Sequence, residues 1–240
     1  LELCDYDNPG DQVEVFDITL NEAYIIDGEP GVSITYYESL DNAITETDVI
    51  VDPTNYINTT PGQQTIYARV TNDATGCYTM VDFDVIVNVV PNIAAVGDII
   101  ACEVNTDNFY EFDLDSVTGE LLGSQDPANF TVTYYEDLVD AENGINAITS
   151  PYTNLTNPQE LFVNITSDIT GCFIIGGAFN IEVQEAAIAN GDGVPSEISI
   201  CEDDPSSNDG IMEFDLTELD TQILDGQDPV NFTVTYYETL

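Results

Sequence analysis

The residues that could do chemistry in this chain are almost all carboxylates. The sequence holds 46 Asp and Glu residues, a single basic residue, Arg69, and no histidine. Acid–base catalysis needs a group that titrates near the working pH, and nucleophilic catalysis needs a base that activates the nucleophile. Since His and Lys are absent, and carboxylates are too numerous for a catalytic pair to stand out, the sequence predicts a protein without catalytic residues that is not an enzyme.

The one cofactor that these carboxylates suggest is calcium. Acidic residues follow Cys4, Cys102 and Cys201, and the segment 5–11 alternates Asp with other residues near a Gly, as the first half of a calcium loop does. The residues predicted as ligands are Asp5, Asp7, Asp11, Glu103, Asp107, Glu202, Asp203 and Asp209. The spacing differs between the three loops, and no Glu stands at the twelfth loop position. A solvated acidic turn is therefore the alternative.

A recurring strand motif marks the elements that must position these loops. NFTVTYYE occurs at 129–136 and again at 231–238, and GVSITYYE occurs at 31–38. Apolar and polar residues alternate in it, which predicts a strand with one row of side chains in a core. Cys and Phe-Asp motifs recur at the same period, about the length of one small domain. The predicted domains are repeat 1 (1–91), repeat 2 (92–187) and an incomplete repeat 3 (188–240), within a longer parent protein.

Each repeat is predicted to be all-β. Several short strands with turn signals between them, and no long helical periodicity, indicate tandem Ig-like or fibronectin-like antiparallel β-sandwiches. Short helical turns are expected as well, because Thr19 and Glu22 have capping-box spacing. The Asp of each Phe-Asp motif is predicted to be a helix N-cap or turn residue, namely Asp17, Asp113 and Asp215. The links around 90–92 and 185–187 are short, which predicts a semi-rigid rod.

The cysteines follow the repeats. Cys4 and Cys77 lie in repeat 1, Cys102 and Cys172 lie in repeat 2, and Cys201 opens repeat 3. One pair per domain predicts the disulfides Cys4–Cys77 and Cys102–Cys172, with the partner of Cys201 beyond the end of the sequence. Disulfides would indicate an oxidising, exported location. A set of buried free thiols is the alternative.

Three tyrosines of the strand motif are candidates for a ligand surface. Tyr37, Tyr135 and Tyr237 belong to the row opposite the core, so their rings could stack on sugars or on a protein partner. Ordinary strand packing is the alternative. Arg69 is predicted to form only a local salt bridge, because its counterpart in repeat 2 is Asn164 and it belongs to no repeated site.

Four motifs in a fixed order resemble a known class of protein. In their order within one period they are Cys-Asp-x-Asp-Asn (here at 4–8), Phe-Asp-Leu-Thr (here at 214–217), the segment from Gln-Asp-Pro to Tyr-Tyr-Glu (here at 125–136) and Ala-Thr-Gly-Cys-Tyr (here at 74–78). The chain is similar to the repeats of very large surface proteins of Bacteroidota, particularly flavobacterial adhesins of the gliding-motility type that the type IX secretion system exports. The resemblance implies an extracellular, cell-surface location, a filamentous shape and a role in adhesion. Asp115-Ser116-Val117 also resembles the O-glycosylation motif of that phylum, which implies a glycan on Ser116.

The predicted function is a non-catalytic repeat segment of an extracellular cell-surface adhesin or filament. In one version it is a semi-rigid stalk or fibre, and in the other the repeats bind carbohydrate multivalently. An accessory module of a secreted polysaccharide-degrading enzyme is a third reading. The expected partners are further repeats of the same chain and surface polysaccharide or other cells. A net charge of −45 repels nucleic acid and anionic lipid, and no apolar run has transmembrane length, so neither nucleic acid binding nor direct membrane insertion is expected.

Overall fold

The computed structural model of this chain describes residues 1–104, 107–188, 197–201 and 210–238. The described chain forms two compact units that interleave in sequence. The first unit comprises Leu1–Gly97, Asp113–Ser150 and Glu160–Phe179, and the second comprises Asp98–Phe112, Pro151–Gln159 and Asn180–Leu240. These units do not follow the sequence repeats, so the three repeat boundaries stay a prediction.

Repeat 1 folds into a large and a small sheet. Its elements are β1 (Glu2–Cys4), β2 (Val15–Phe16), α1 (Glu22–Ile26), β3 (Val32–Tyr37), α2 (Leu40–Thr45), β4 (Tyr56–Ile57), β5 (Gln63–Asn72) and β6 (Tyr78–Asn88). The large sheet has the order β1-β6-β5-β3, and the small sheet pairs β2 with β4. β1 runs parallel to β6, whereas the other pairs are antiparallel. The prediction of an antiparallel β-sandwich holds for these other pairs, and the β1–β6 pair departs from it because these strands open and close the repeat and no hairpin joins them.

The core of repeat 1 lies between its two sheets. Phe16 and Tyr56 come from the small sheet, and Tyr36, Ile66 and Val85 come from the large one, and all five belong to one buried cluster. Burying a side chain of this size stabilises the fold by about 1.5–3 kcal/mol. Two sheets packed face to face over one core confirm the predicted sandwich architecture.

Repeat 2 follows the same plan. Its elements are β7 (Ile99–Glu103), β8 (Glu111–Phe112), α3 (Thr118–Leu122), β9 (Phe130–Tyr135), α4 (Leu138–Asn143), β10 (Tyr152–Thr153), β11 (Gln159–Ser167) and β12 (Phe173–Glu185), with a 3₁₀ turn at Pro127–Asn129. The sheet orders β7-β12-β11-β9 and β10-β8 match those of repeat 1. β7 runs parallel to β12, as β1 does to β6. The repetition in sequence is therefore a repetition of topology.

Short helices precede the recurring strand in each repeat. A 3₁₀ turn leads into α1, α3 and α5 (Asp220–Leu224), at Ile18–Asn21, Leu114–Val117 and Leu216–Leu219. The carboxylates of Asp17, Asp113 and Asp215 accept the backbone N–H two residues on, which confirms the predicted N-caps. Thr19 is not itself the cap, since its hydroxyl donates to Asp17 Oδ1 at 2.5 Å. No helix in the described ranges has the length and apolar character that a membrane span requires.

The third copy of the strand motif behaves differently. Residues 231–238 are described without strand structure, contrary to the prediction. In repeats 1 and 2 the motif strand pairs with β5 or β11. The motif therefore forms a strand where a neighbouring strand satisfies its backbone hydrogen bonds.

Candidate functional site

The junction between repeats 1 and 2 is covalently closed. Cys4 and Cys172 form a disulfide with an S–S distance of 2.04 Å and a Cα–Cα distance of 5.7 Å. Both residues belong to the first unit. Cys77, Cys102 and Cys201 carry free, exposed thiols. The predicted pairs Cys4–Cys77 and Cys102–Cys172 are therefore wrong, and the bond joins one repeat to the next.

The sheet register explains why a pair within one repeat does not form. Cys4 lies opposite Asn88, the last residue of β6, whereas Cys77 directly precedes the first residue of that strand. β6 has 11 residues, so at about 3.3 Å per residue its ends lie roughly 30 Å apart. A disulfide needs Cα atoms within about 7 Å. In the same way, Cys102 lies opposite Gln184 near the end of β12, whereas Cys172 directly precedes the first residue of that strand.

Aromatic contacts accompany the disulfide. Tyr6, two residues after Cys4, packs edge-to-face on Phe173, with ring centroids 5.8 Å apart and an interplanar angle of 61°. The Phe173 backbone N–H donates to the Tyr6 hydroxyl at 3.2 Å. Such a ring pair contributes about 0.5–1.5 kcal/mol beyond its buried area. The loop after the first cysteine therefore contacts the next repeat.

The link between the repeats is held by hydrogen bonds to repeat 2. The Gln125 side chain accepts the Asn92 N–H at 3.0 Å, donates to the Asn92 carbonyl at 2.7 Å and donates to the Leu122 carbonyl at 3.0 Å. The Ala94 N–H donates to the Leu121 carbonyl at 2.9 Å. Leu121 and Leu122 are both buried. The linker is thus docked along its backbone rather than free.

A glycine makes room for the one large linker side chain. Ile93 lies over Gly177, where an added Cβ would stand 2.5 Å from Ile93 Cγ2. Gly177 also has a φ of +58°, in the left-handed region that favours glycine. We call the surface formed by Leu121, Gln125 and Gly177, which holds residues 92–94, the linker seat. All of it lies within the first unit.

The same clamp recurs in the second unit. Gln227 accepts the Ile188 N–H at 2.9 Å, donates to the Ile188 carbonyl and donates to the Leu224 carbonyl at 2.8 Å. Gln125 and Gln227 both open a Gln-Asp-Pro motif. No contact is predicted for this motif from the sequence alone. Its recurrence directly after a short helix was the signal that could have revealed a repeated structural contact.

The acidic loop of repeat 1 is organised around a buried carboxylate. Asp5 is fully buried, and its Oδ2 accepts the backbone N–H of Gly10 at 2.6 Å and of Gln12 at 3.2 Å. Its Oδ1 is buried and has no hydrogen-bond partner. Glu14 is buried as well and accepts two backbone N–H groups at the start of the loop. These carboxylates therefore fix the loop conformation.

The other predicted calcium ligands are dispersed. Asp7 and Asp11 are exposed. In the second unit, Glu103 Oε2 is buried without a hydrogen-bond partner, and Asp107 accepts the Phe109 N–H at 2.9 Å. Outside the described residues lie Glu202, Asp203 and Asp209. Within the described part of the chain, no three His, Cys, Asp or Glu side chains form a group that could hold a metal ion. Calcium binding stays a prediction.

The tyrosines proposed as a ligand surface are mostly buried. Tyr37 and Tyr135 are only 3% and 4% exposed, so the ligand-surface prediction is wrong for both and ordinary packing is correct. The helices α2 and α4, which directly follow the motif, pack on its strand in each repeat. Tyr237 is 81% exposed, in the copy of the motif that lacks a partner strand.

Arg69 has a structural role on the outer face of the large sheet, where its cross-strand neighbour is Thr35. Its guanidinium donates to the Ala43 carbonyl of α2 at 2.9 Å, pairs with Glu46 and lies 3.5 Å from the centroid of the Tyr78 ring. The side chain is buried between the helix and the sheet. The predicted local salt bridge is confirmed, and Arg69 secures α2 over the strand motif.

Three tyrosines of the core have raised pKa values. Burial, followed by the nearby Glu38 carboxylate, raises the pKa of Tyr56 to about 12. Burial also raises the pKa of Tyr36, with Glu22 adding to it, and burial raises the pKa of Tyr134. All three pKa values move away from neutral pH, so these hydroxyls do not serve as acids or bases near pH 7.

Ser116 is exposed in its 3₁₀ turn, and its hydroxyl donates to the Asp113 carbonyl at 2.6 Å. Its glycosylation stays a prediction, because an exposed hydroxyl is a requirement for the modification and no more than that.

Comparison with known proteins gives one family match. The model of the family described as "Flavobacterium inter-domain disulphide bond domain" matches residues 1–91, 98–187 and 197–240. No curated protein sequence matches the chain.

Two solved structures are similar to parts of this chain. The fibronectin(III)-like modules of Clostridium thermocellum CbhA are 11% identical with a TM-score of 0.28, over 63% of this chain and 77% of that one. The N-terminal Ig1-2 module of the Drosophila receptor protein tyrosine phosphatase DLAR is 9% identical with a TM-score of 0.21, over 65% and 86%.

Proposed function

Since this chain belongs to the flavobacterial family of inter-domain disulphide bond domains, we propose that it is a stalk segment of a cell-surface adhesin or filament. The family match and the disulfide support an extracellular, non-catalytic module of β-sandwich repeats. The observation that carries the stalk function is the covalent bond from Cys4 to Cys172.

That bond changes the path of tension through the chain. Force applied at the two ends passes from Cys4 directly to Cys172, so the segment between them, a sequence separation of 168, carries none of it. Sheets held by hydrogen bonds alone open when their strands are pulled apart, whereas a covalent bond does not. A segment that resists unravelling suits a stalk held between a cell and its surroundings.

The free cysteines extend this scheme to further repeats. Cys102 occupies on β7 the register position that Cys4 occupies on β1. Cys77 directly precedes β6, as Cys172 precedes β12. The exposed thiols of Cys77 and Cys102 are therefore placed for the same bond with neighbouring repeats of the same type. The result would be a ladder of overlapping disulfides along the stalk.

Single-molecule stretching tests the proposal. With a sequence separation of 168 between the bonded cysteines and about 3.5 Å per extended residue, the oxidised chain should unfold to a contour length roughly 60 nm shorter than the reduced chain. A Cys4→Ser variant should behave as the reduced chain does, and a Cys102→Ser variant should behave as the oxidised parent does. Equal contour lengths for the oxidised and reduced chains would overturn the proposal.

A second test separates a stalk from repeats that bind. A stalk that spaces a distal tip should show no saturable binding to polysaccharides such as alginate, laminarin or xylan in affinity electrophoresis. Saturable binding would favour instead the multivalent carbohydrate-binding repeats or the accessory module of a secreted polysaccharide-degrading enzyme. The assay uses the oxidised, folded chain, with folding verified by calorimetry.

Calcium is proposed as a stabiliser of the loop of Asp5. The support is the buried Asp5 Oδ1, which has no hydrogen-bond partner. Adding calcium should raise the melting temperature of the parent chain more than that of an Asp5→Asn variant. An equal shift in both would place any calcium effect elsewhere on the acidic surface.

Export by the type IX system and a glycan on Ser116 complete the proposal. Its support is the family match together with the exposed hydroxyl of Ser116. Mass spectrometry of the protein from its native cell surface should show a mass addition on the peptide that contains Ser116. An unmodified peptide would rule out a glycan on Ser116 and would leave the proposed stalk function unaffected.

A further inference from the structure

We propose that repeat 1 carries an open counterpart of the linker seat, and that its occupant is the uncharged linker of another repeat of this type, with a small residue at the position of Ile93. The inference rests on the proposed function and deepens it, because it names the segment that joins repeat 1 to a neighbour.

Backbone geometry identifies the counterpart positions. The Glu29 N–H donates to the Ile26 carbonyl at 3.0 Å, just as the Gln125 N–H donates to the Leu122 carbonyl at 3.0 Å. Both turns follow a five-residue helix, α1 or α3, and lead into the strand motif. Glu29 therefore stands in repeat 1 where Gln125 clamps the linker in repeat 2.

Burial shows what the linker covers. Leu121 of the seat is fully buried, whereas its counterpart Ile25 is half-buried, and the neighbouring Tyr24 is 87% exposed. An open groove of about 360 Å³ lies here between α1 and β6, lined by Asn21, Tyr24, Ile25, Val81, Asp82 and Phe83. An apolar floor that is covered in one repeat and open in the other indicates a surface that takes a linker.

The neighbouring groove points to the same occupant. Glu29 and Cys77 line it together, in a shallow space of about 180 Å³. In repeat 2 the counterpart Cys172 is bonded to the repeat whose linker occupies the seat. One neighbouring repeat would therefore reach both the open seat and the Cys77 thiol.

The seat of repeat 1 differs at the position that receives the linker side chain. Val81 stands two residues before Phe83, and Gly177 stands two residues before Phe179. The two phenylalanines are equivalent, because each packs at 87° on the first tyrosine of its motif with centroids 6.3 Å apart. Val81 lines the groove of repeat 1, so its side chain takes up room there, whereas Gly177 leaves room for Ile93 in repeat 2. The occupant must therefore carry a small side chain there.

The second difference is Glu29 in place of Gln125, and it favours an uncharged occupant. Gln125 both accepts and donates to the linker backbone, whereas the Glu29 carboxylate only accepts. It can bind a linker N–H and repels an acidic side chain. The sequence after repeat 2 already has a small residue at the equivalent position. Gln227 binds Ile188 as Gln125 binds Asn92. An Ala follows Ile188, whereas Ile93 follows Asn92.

An added linker tests the proposal directly. A copy of residues 89–98, VVPNIAAVGD, is placed immediately before Leu1 of the full chain. Its Asn then precedes Leu1 by the same seven positions that separate Asn92 from Ile99. A second version carries Ala in place of the Ile, and a third carries the residues of the second version in scrambled order. Amide hydrogen exchange of the added segment is the measurement.

The Ala version should exchange roughly tenfold more slowly than the scrambled version, because seat hydrogen bonds must open first. The Ile version should be less protected, and Val81→Gly should restore its protection. Glu29→Gln in the Ala version should slow exchange further by supplying the missing donor. Equal exchange in all versions, with repeat 1 amides still protected, would overturn the proposal. The added segment contains no cysteine, so this outcome is independent of the stretching experiment on Cys4–Cys172.

Discussion

Repeat 1 and repeat 2 share their sheet order and the register of their parallel strand pair but differ where they meet other parts of the chain. The large sheet is β1-β6-β5-β3 in one and β7-β12-β11-β9 in the other. The outer face of that sheet holds Arg69 in repeat 1 and Asn164 in repeat 2, and the seat holds Val81 in one and Gly177 in the other. Motifs common to both repeats build the sandwich, and the residues that differ tune how helices and linkers attach to it.

The largest expected effect comes from breaking the bond that makes the two repeats a pair. A Cys4→Ser substitution removes a cross-link with a sequence separation of 168, which in the chain-entropy model costs about 5 kcal/mol of unfolding free energy. Calorimetry should show a large drop in melting temperature. Cys77→Ser, which removes an exposed free thiol, is the matched control and should leave it unchanged.

Cleavage with cyanogen bromide distinguishes the disulfide between repeats from pairs within each repeat. It cleaves after Met80 and Met212, the only two methionines of the sequence. A Cys4–Cys172 bond holds the fragments 1–80 and 81–212 together on a non-reducing gel. Pairs within each repeat would let the two fragments separate without reductant, and that result would contradict the inter-repeat bond.

The next comparison is between Arg69 and Asn164. Arg69 donates to the Ala43 carbonyl at 2.9 Å, whereas Asn164 makes a long contact of 3.5 Å to the equivalent Ala141 carbonyl. Arg69→Ala should cost about 3 kcal/mol, because it leaves buried carbonyls unpaired and removes the ring contact to Tyr78. Asn164→Ala should cost about 1 kcal/mol. Urea unfolding of each variant provides the values.

Glu46 provides the control for this pair. It is 61% exposed, so Glu46→Gln should cost less than about 1 kcal/mol and its effect should shrink in high salt. A cost for Glu46→Gln as large as that for Arg69→Ala would mean that the ion pair, rather than the helix carbonyls, explains why repeat 1 uses an arginine.

Local patterns in the sequence were sufficient to predict the elements but not the junction. The alternation in the strand motif predicted β3 and β9, and Asp17 and Asp113 were predicted as caps because a cap needs only its neighbours along the chain. The pairing of Cys4 depended on which end of β6 lies beside β1, a long-range property that spacing does not encode. Tyr37 was placed on an exposed row because period two cannot reveal that α2 covers the outer face.

The third expected effect sharpens the contrast at the linker seat. Gly177→Ala adds a Cβ that would stand 2.5 Å from Ile93 Cγ2, at a positive φ. Gly171→Ala is the control, because it has a similar positive φ of +74° with nothing within 4 Å. The clash should therefore make Gly177→Ala lower the free energy of unfolding by about 2 kcal/mol more than Gly171→Ala does. Hydrogen exchange of the Ala94 amide should accelerate in the first variant and not in the second. Equal costs would show that the linker moves aside freely.

The smallest expected effect concerns the tyrosines that close the two small sheets. In repeat 1 the Tyr56 hydroxyl donates to Glu38 at 3.1 Å, whereas in repeat 2 the Tyr152 hydroxyl accepts from the Gln159 amide at 2.8 Å. Burial, followed by the Glu38 carboxylate, raises the pKa of Tyr56 to about 12, while an unfolded tyrosine titrates near 10. The unfolded chain therefore loses its proton first, and the stability that Tyr56 contributes is complete below about pH 10 and is lost as the pH rises towards 12.

Screening by solvent limits this contribution to about 1 kcal/mol. Tyr56→Phe should flatten the fall of unfolding free energy between pH 10 and 12, measured by urea unfolding at each pH. A slope that is unchanged in Tyr56→Phe but flattened in Tyr152→Phe would reverse the assignment. The alkaline sensitivity would then belong to repeat 2, and the Glu38 contact would not distinguish the repeats.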